Sequence, residues 1–342
     1  MKTGRRTIKD VAKLAGVSLG SASRALSGAT NVSEAMLERV RRAAATLGYR
    51  PNHAARSLRS RNTKTIGCMF SDMSNPLYAR LFGTLEDRLA REGYMTLISN
   101  TANKHDREIR TLQLFIERGL DALILAPSHE RDGELNAMLR QLPMPYIVLD
   151  REMLTETNTI LFDHGKGLAQ VVQHLAALGH KRIGLVTANL KSRPGRRRIA
   201  AFKAALRAQK LALTPEHFVL PETSMSSAYD EVIAMLSRKN RPTAIVVQGT
   251  GILSSTMNAI AQLGLRIPDD ISLVSIGHAD FIKNHVPAIT NLHIDYERLS
   301  TEISERLFAL LDKKPRNGRP SRLLFPYVFE VSDSTAAPRR KA

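Results

Sequence analysis

From Lys64 to Leu311, short β-rich runs alternate with amphipathic helical stretches, and that alternation confines this part of the chain to a doubly wound, parallel α/β sheet. Strands are expected at residues 65–71, 95–99, 122–126, 146–150, 182–187, 243–248 and 271–276. The runs read as two successive sheets. Residues 65–163 form one and 164–291 the second, with a helix around Tyr296–Leu311 returning to the first.

Ahead of Lys64 the pattern is all-α. Thr7-Ile8-Lys9-Asp10 offers a capping box for a helix whose Val11, Leu14 and Ala15 fall on one face, and Gly16 ends it. Ser18 can cap a second helix, with Leu19, Gly20, Ser21 and Ser23 small enough for its first turn to enter a major groove, and Arg24 close behind. Ala22 and Ala25 read as packing positions. A third helix is expected from about Ser33 to Leu47, with Leu37, Val40, Ala44 and Leu47 at helical spacing. Beyond Pro51, Asn52 can cap a helix of about two turns, too short to persist in water unless DNA or a second subunit holds it.

The resulting organisation is a head at 1–50 and a hinge helix with linker at 51–64. A first core subdomain follows at 65–163 plus 293–322, a second at 164–292 plus 323–334, and a disordered tail at 335–342.

Charge separates the parts. Residues 1–64 hold fourteen Lys and Arg against Asp10, Glu34 and Glu38, a net +11 out of +18 for all 342 residues. A surface for phosphates concentrates positive charge in this way; a solvated basic arm would not also carry capped, periodic helices. No apolar run approaches a membrane span and the N-terminus lacks the apolar core of a signal peptide, so a cytoplasmic protein is expected. Cys68, the single cysteine, excludes an intramolecular disulfide and reads as a small buried hydrophobe in a strand.

These residues spell a family. The head, with Thr7-Ile8-Lys9-Asp10-Val11-Ala12, Gly16-Val17-Ser18 and Ser23-Arg24, then Gly48-Tyr49-Arg50-Pro51-Asn52, Ala55-Arg56-Ser57-Leu58 and Ile66-Gly67, closely resembles the lac-repressor/galactose-repressor family of bacterial transcription regulators. Fragments in the family's order continue through the core: Ser74-Asn75-Pro76, Gly119 to Leu125, Val148-Leu149-Asp150-Arg151, Leu178 to Gly184, Arg198 to Phe202, Gly264 to Asp269 and Pro287 to Thr290.

The resemblance implies a homodimer on a pseudo-palindromic operator in double-stranded DNA, with a periplasmic-binding-protein-like core holding a small effector between its subdomains. By the family pattern Leu19 and Gly20 read base edges, with Ser18, Ser21, Ser23 and Arg24 near base or backbone. Gly20 can offer only close backbone approach, which shifts discrimination to its neighbours and to DNA shape. Leu58 is implied as a minor-groove wedge, Ala55 packs beside it, and Asn52, Arg56 and Arg59 lie near phosphates. Thr7 and Asn31 complete the expected DNA-contacting set. The leucine-repeat tail of the family's tetramers is missing, so dimers are expected.

For the effector, the resemblance implies Asp150, an aromatic wall at Phe162 and a gripping Arg198, with Asp72, Asn75, Tyr78, Thr250 and His278. The pattern departs at Ser275-Ile276-Gly277-His278, where glycine replaces a ligand aspartate; at Gly249-Thr250, in place of an Asn-Asp pair; and at Thr223, in place of an aromatic platform. Against these losses stands the cationic turn Lys191 to Arg198, so an anionic sugar derivative gripped by Arg198 with Arg196 or Arg193 is expected; the alternative has most of these arginines pointing to solvent and only Arg198 facing inward.

Rival classes fare worse. The chain carries none of the phosphate-loop, nucleophile-elbow or zinc-protease motifs, and His278, His285 and His293 lack the acidic or thiol partners of a metal site, so no enzyme, metal or cofactor is expected. A transport solute-binding protein would need export, and a ligand-independent architectural DNA binder would need a filled cleft.

Overall fold

The computed structural model describes residues 6–27, 32–49, 62–188, 191–277, 282, 284–312 and 320–339. The chain divides into two compact units, 1–63 and 64–342.

In the first unit, α1 (Ile8–Ala15), α2 (Leu19–Ser27) and α3 (Glu34–Thr46) surround a core of Val11, Ala12, Ala15, Ala22, Ala25, Val40, Ala43 and Ala44. With alanine at most of these positions, the helix backbones approach closely and the core stays thin. Leu14 is not part of it. The periodicity put Leu14 with Val11 and Ala15, but it is 54% exposed, because Ala12 takes the inward place beside them.

The second unit holds two six-stranded sheets. The first lobe contains β1 (Thr65–Phe70), β2 (Met95–Asn100), β3 (Ala122–Ala126), β4 (Tyr146–Leu149), β5 (Asn158–Phe162) and β11 (Arg322–Phe325), in spatial order β11-β5-β4-β3-β1-β2, all parallel. The second lobe contains β6 (Ile183–Val186), β7 (Phe218–Val219), β8 (Ala244–Gln248), β9 (Ser272–Ile276), β10 (Thr290–His293) and β12 (Val328–Glu330), in order β12-β10-β9-β8-β6-β7, with only β12 antiparallel to its neighbour.

Helices cover both faces of each sheet, as parallel strands require. In the first lobe, α4 (Pro76–Arg91) and α11 (Tyr296–Leu311) pack Leu81, Leu85, Leu89, Leu299, Ile303 and Leu307 on Ile66, Cys68 and Ile124. The opposite face buries Leu123 and Leu125 under α5 (His105–Glu117) and α6 (Gly133–Arg140). In the second lobe, α7 (His164–Ala177) and α8 (Arg193–Ala208) cover one face, and α9 (Tyr229–Leu236) and α10 (Gly251–Gln262) the other. One close approach depends on glycine: a Cβ at Gly67 would lie 2.7 Å from Leu120 and 2.8 Å from Leu123. Burial pushes the Cys68 thiol up to about 12, so it behaves as an inert core group.

The chain passes between the lobes after Phe162, His293 and Phe325. The last crossing falls later than the expected 322/323, since Leu323, Leu324 and Phe325 pair with Ile160, Leu161 and Phe162 in the first sheet. The segment 335–339, expected to be disordered, is bound to the second lobe. Ala336 O accepts from His180 Nε2 at 2.9 Å and from Ser272 Oγ at 3.1 Å, Ala336 N donates to Ser272 Oγ at 3.0 Å, and Arg339 pairs with Asp269 at 3.1 Å. Its polar composition is satisfied by specific partners rather than by water.

Candidate DNA-reading face and effector cleft

The start of α1 is fixed by Asp10, whose Oδ2 accepts from Thr7 N at 2.8 Å and from Thr7 Oγ1 at 2.9 Å. That contact holds the Asp10 carboxyl below its ordinary range. The helix ends at Gly16, whose φ of 63° is a left-handed conformation that glycine adopts without a Cβ clash. Arg39 of α3 completes the turn: its Nη2 donates to Ala15 O at 2.9 Å and Gly16 O at 3.2 Å. In sequence Arg39 is one basic residue among many, 24 residues from Ala15.

Ser18 then starts α2, its Oγ accepting from Ser21 N at 3.1 Å and donating to Ser21 Oγ at 3.0 Å, with Arg24 3.5 Å from the Ser21 hydroxyl. Thr7, Ser18, Leu19, Gly20 and Arg24 are exposed and Ser21 and Ser23 half-buried, while Ala22 and Ala25 face the core. Gly20 has no internal reason to be glycine. A Cβ there would meet only Ser18 Oγ and Arg24 Nη1, each at 3.9 Å. Asn31, Asn52, Ala55, Arg56, Leu58 and Arg59 lie outside the described residues.

Between the lobes of the second unit lies a cavity of about 590 Å³, lined by Asp72, Asn75, Tyr78, Asp150, Phe162 and Arg198 from the expected set, together with Arg151, Thr223, Gln248 and others. Arg193, Arg196 and Thr250 are not among its lining residues, and His278 lies outside the described ones. Thr250 Oγ1 is turned to the carbonyl of Ser224.

At the floor, Asp150 is saturated. Its Oδ1 accepts from Phe162 N at 3.0 Å and from Arg193, and its Oδ2 faces His164 Nε2 at 3.0 Å. Burial alone would raise the Asp150 carboxyl, but His164 and Arg193 hold it well below the usual carboxylate range. Burial lowers the His164 proton affinity despite Asp150, and its Nδ1 lies 3.2 Å from the Tyr327 hydroxyl. The Tyr327 phenol is pushed up to about 12 by burial.

Arg151, which follows Asp150 in the family fragment and carries no sequence signal of its own, is buried against neutral acceptors. It donates to Asp150 O at 3.0 Å, Tyr78 Oη at 3.0 Å, Ser71 Oγ at 3.4 Å and Pro127 O. Tyr78 stacks on Phe70 at 4.8 Å between centroids, so it fixes Arg151 from a rigid base. Asn75 caps α4 by accepting from Leu77 N at 3.1 Å, and Asp72 Oδ1 accepts from Ser74 N at 3.1 Å.

Three arginines of the cationic turn at the head of α8 reach carboxylates of the other lobe. Arg193 pairs with Asp150, Arg196 with Glu130 at 2.5 Å and with Glu152 at 3.5 Å, and Arg197 with Glu152. Two of the three arginines expected to grip an effector therefore bridge the lobes, and Arg198 is the one that lines the cavity.

Comparison with known proteins places this architecture. Residues 7–52 match "Bacterial regulatory proteins, lacI family" and residues 172–332 match "Periplasmic binding protein-like domain". The chain is 31% identical to the ribose operon repressor of Haemophilus influenzae, over 84% of this chain and 86% of that one. It is 29% identical to the HTH-type transcriptional repressor PurR of Aliivibrio salmonicida, over 92% and 94%. Among solved structures, the lac repressor dimer bound to operator and the anti-inducer ONPF superposes with a TM-score of 0.87 at 26% identity, covering 97% of this chain and 99% of that one. A capped helix-turn-helix unit, a two-lobed core with a cavity between its sheets and a 31% identical repressor along most of the length make this chain a member of the lacI family of bacterial regulatory proteins.

Proposed function

We propose that the protein is a homodimeric repressor whose hold on a pseudo-palindromic operator is set by a small molecule bound between the two core lobes. The observation that carries this reading is the start of α2: Ser18, Leu19, Gly20 and Arg24 are presented to solvent beside buried Ala22 and Ala25, and Gly20 has no packing role of its own. A helix start without bulk and with flanking hydroxyls and a guanidinium suits insertion into a major groove. One such helix contacts only a few base pairs, so two copies are needed for selectivity across a genome. The solved lac repressor dimer on its operator supports that assembly.

In this reading the protein binds and releases, and turns nothing over. Asp72, Asn75, Tyr78, Asp150, Arg151, Phe162 and Arg198 surround the effector, while residues 51–64 transmit the state of the core to the heads. The open cavity favours an effector-controlled protein over a ligand-independent architectural one. Among the described residues no helix is long and apolar enough to cross a membrane.

Selection of bound duplexes from a random pool, followed by footprinting, tests the proposal. A recovered inverted repeat with a half-site for each head is expected; binding with no preference over competitor DNA would refute it.

A further inference from the structure

The ring of Tyr327 belongs to both lobes. It stands in the third crossing, between β11 and β12, and packs against the apolar cores of the first lobe and of the second. Among the described apolar side chains it alone is shared by the two. Phe162, at the first crossing, meets it edge-on with ring centroids 6.0 Å apart, and His164, just beyond, lies at 5.4 Å. Gly167 of α7 leaves the ring its place: a Cβ there would come within 3.2 Å of Tyr327 and 3.0 Å of Leu292.

The hydroxyl of the same residue reaches the floor of the cleft. It lies 3.2 Å from His164 Nδ1, and His164 Nε2 faces Asp150 at 3.0 Å. Asp150 in turn holds Phe162 N at the first crossing and Arg193 in the second lobe, on a backbone turned to φ 48°, a left-handed conformation that a residue other than glycine keeps only where its surroundings impose it. Arg198, which lines the cavity, is close enough to the Tyr327 hydroxyl for its guanidinium to oppose the rise that burial imposes on the phenol. Arg198 Nε is itself a buried donor without a hydrogen-bond partner, so that guanidinium is not fully committed. Tyr296, at the head of α11 just past the second crossing, senses the Tyr327 phenol too, which adds to the effect of burial on its own. All three crossings converge on one side chain.

We propose that Tyr327 is the positioning residue through which the contents of the cleft set the angle between the lobes. This rests on the reading of the protein as an effector-controlled repressor and names the side chain that carries the control. A ring close-packed in two cores cannot follow both when they turn, so it repacks between discrete arrangements. Which arrangement holds depends on what its hydroxyl faces, because a buried hydroxyl left unpaired is costly. A ligand that draws Arg198 into the cavity changes what the hydroxyl faces, and the ring then settles where His164 satisfies it.

The test uses the full-length protein and the inverted repeat recovered by duplex selection. Y327F keeps the ring and removes only the hydroxyl, and R198Q removes the guanidinium. Each should change operator affinity about fivefold or more, and the double variant no more than the larger single, since both break one contact. Spin labels introduced by R140C and R238C, exposed on opposite lobes, should report an interlobe distance that shifts or broadens in Y327F, measured by pulsed resonance in dimers diluted with unlabelled chain; Cys68 is buried and takes no label. G167A crowds the ring from α7 without touching the cavity lining and should move the same distance, so the proposal stays testable if R198Q fails to fold. S272A is the control: it loses buried bonds to the Ala336 backbone at the far end of β9, and should lower the melting temperature while leaving operator affinity and interlobe distance unchanged. Operator affinity of Y327F within about twofold of the unaltered protein, additive effects in the double variant, or an unchanged interlobe distance overturns the proposal. Recovery of the repeat by the unaltered protein reports separately on its role as a repressor.

Discussion

Arg196 on the second lobe donates to Glu130 on the first at 2.5 Å, and the Glu130 side chain is 1% exposed. The other Glu130 oxygen accepts from Glu152 N at 2.8 Å, so one buried carboxylate holds both the opposite lobe and its own lobe's loop. The pair therefore ties the two lobes together across the cleft. Replacing Glu130 by alanine should destabilise the core by about 2 to 3 kcal/mol, below the range for fully buried pairs because Arg196 keeps 22% exposure. Thermal denaturation of E130A and R196A, with the double variant, measures the coupling. Strictly additive losses would show that the contact holds nothing.

Gly20 should separate stability from binding. G20A supplies a better helix former in open space, so the head gains up to about 1 kcal/mol. If α2 enters a groove at that point, the same methyl should weaken operator binding about fivefold or more. A melt of the isolated change together with a gel-shift titration decides; unaltered operator affinity would remove Gly20 from the reading face.

Arg39 closes the turn between the first two helices by taking two otherwise unpaired carbonyls, those of Ala15 and Gly16. R39A should cost the head about 1 to 2 kcal/mol and reduce operator affinity through the altered angle of α2. R39K should restore charge but not the two-carbonyl fork. Full operator affinity in both variants would mean that the turn is set by Gly16 alone.

Stability should fall with acidification from neutral pH. Burial lowers the proton affinity of His164, His174, His180 and His217 below the ordinary value of 6.5. As pH drops below about 6.5 the unfolded chain gains protons that these folded imidazoles refuse, so the stability they contribute is present above that pH and lost below it. His105 has the opposite sign: its hydrogen bond to Asp132 raises its affinity, and its contribution is present below 6.5 and fades above. Four groups against one predict a lower melting temperature at pH 5.5 than at 7.5, measured by scanning calorimetry. A constant or higher value would contradict the burial account.

Removing residues 335–342 should destabilise the second lobe by about 1 to 3 kcal/mol, since His180 and Ser272 are left buried without the Ala336 backbone. Chemical denaturation of the truncated chain is the measurement. A midpoint equal to that of the full chain would mean water replaces those bonds at no cost.

What could be read from sequence follows from burial only in part, since the exposed β2 is an expected strand and the buried β5 is not. β1, β3, β6, β8 and β9 are buried along their whole length and appear as continuous apolar runs. β7 has two residues, β11 and β12 are exposed edge strands, and β10 is a polar Thr290-Asn291-Leu292-His293, so none of the four carries a signal of its own. The head was legible because caps, turn glycine and helix spacing all act within a few residues. The cationic turn was visible as charge, but its partners Glu130 and Glu152 lie 66 and 44 residues away from Arg196, and only the fold brings them together. Tail binding was hidden for the same reason.

The last crossing places β11 at the margin of one sheet and β12 at the margin of the other, only two residues apart in the chain. A stop codon or frameshift before Arg322 would therefore strip both sheets of an outer member in a single event. Neither half can be excised as one continuous stretch of gene, so recombination that exchanges a cleft between relatives has to carry the carboxyl-terminal end along with the middle.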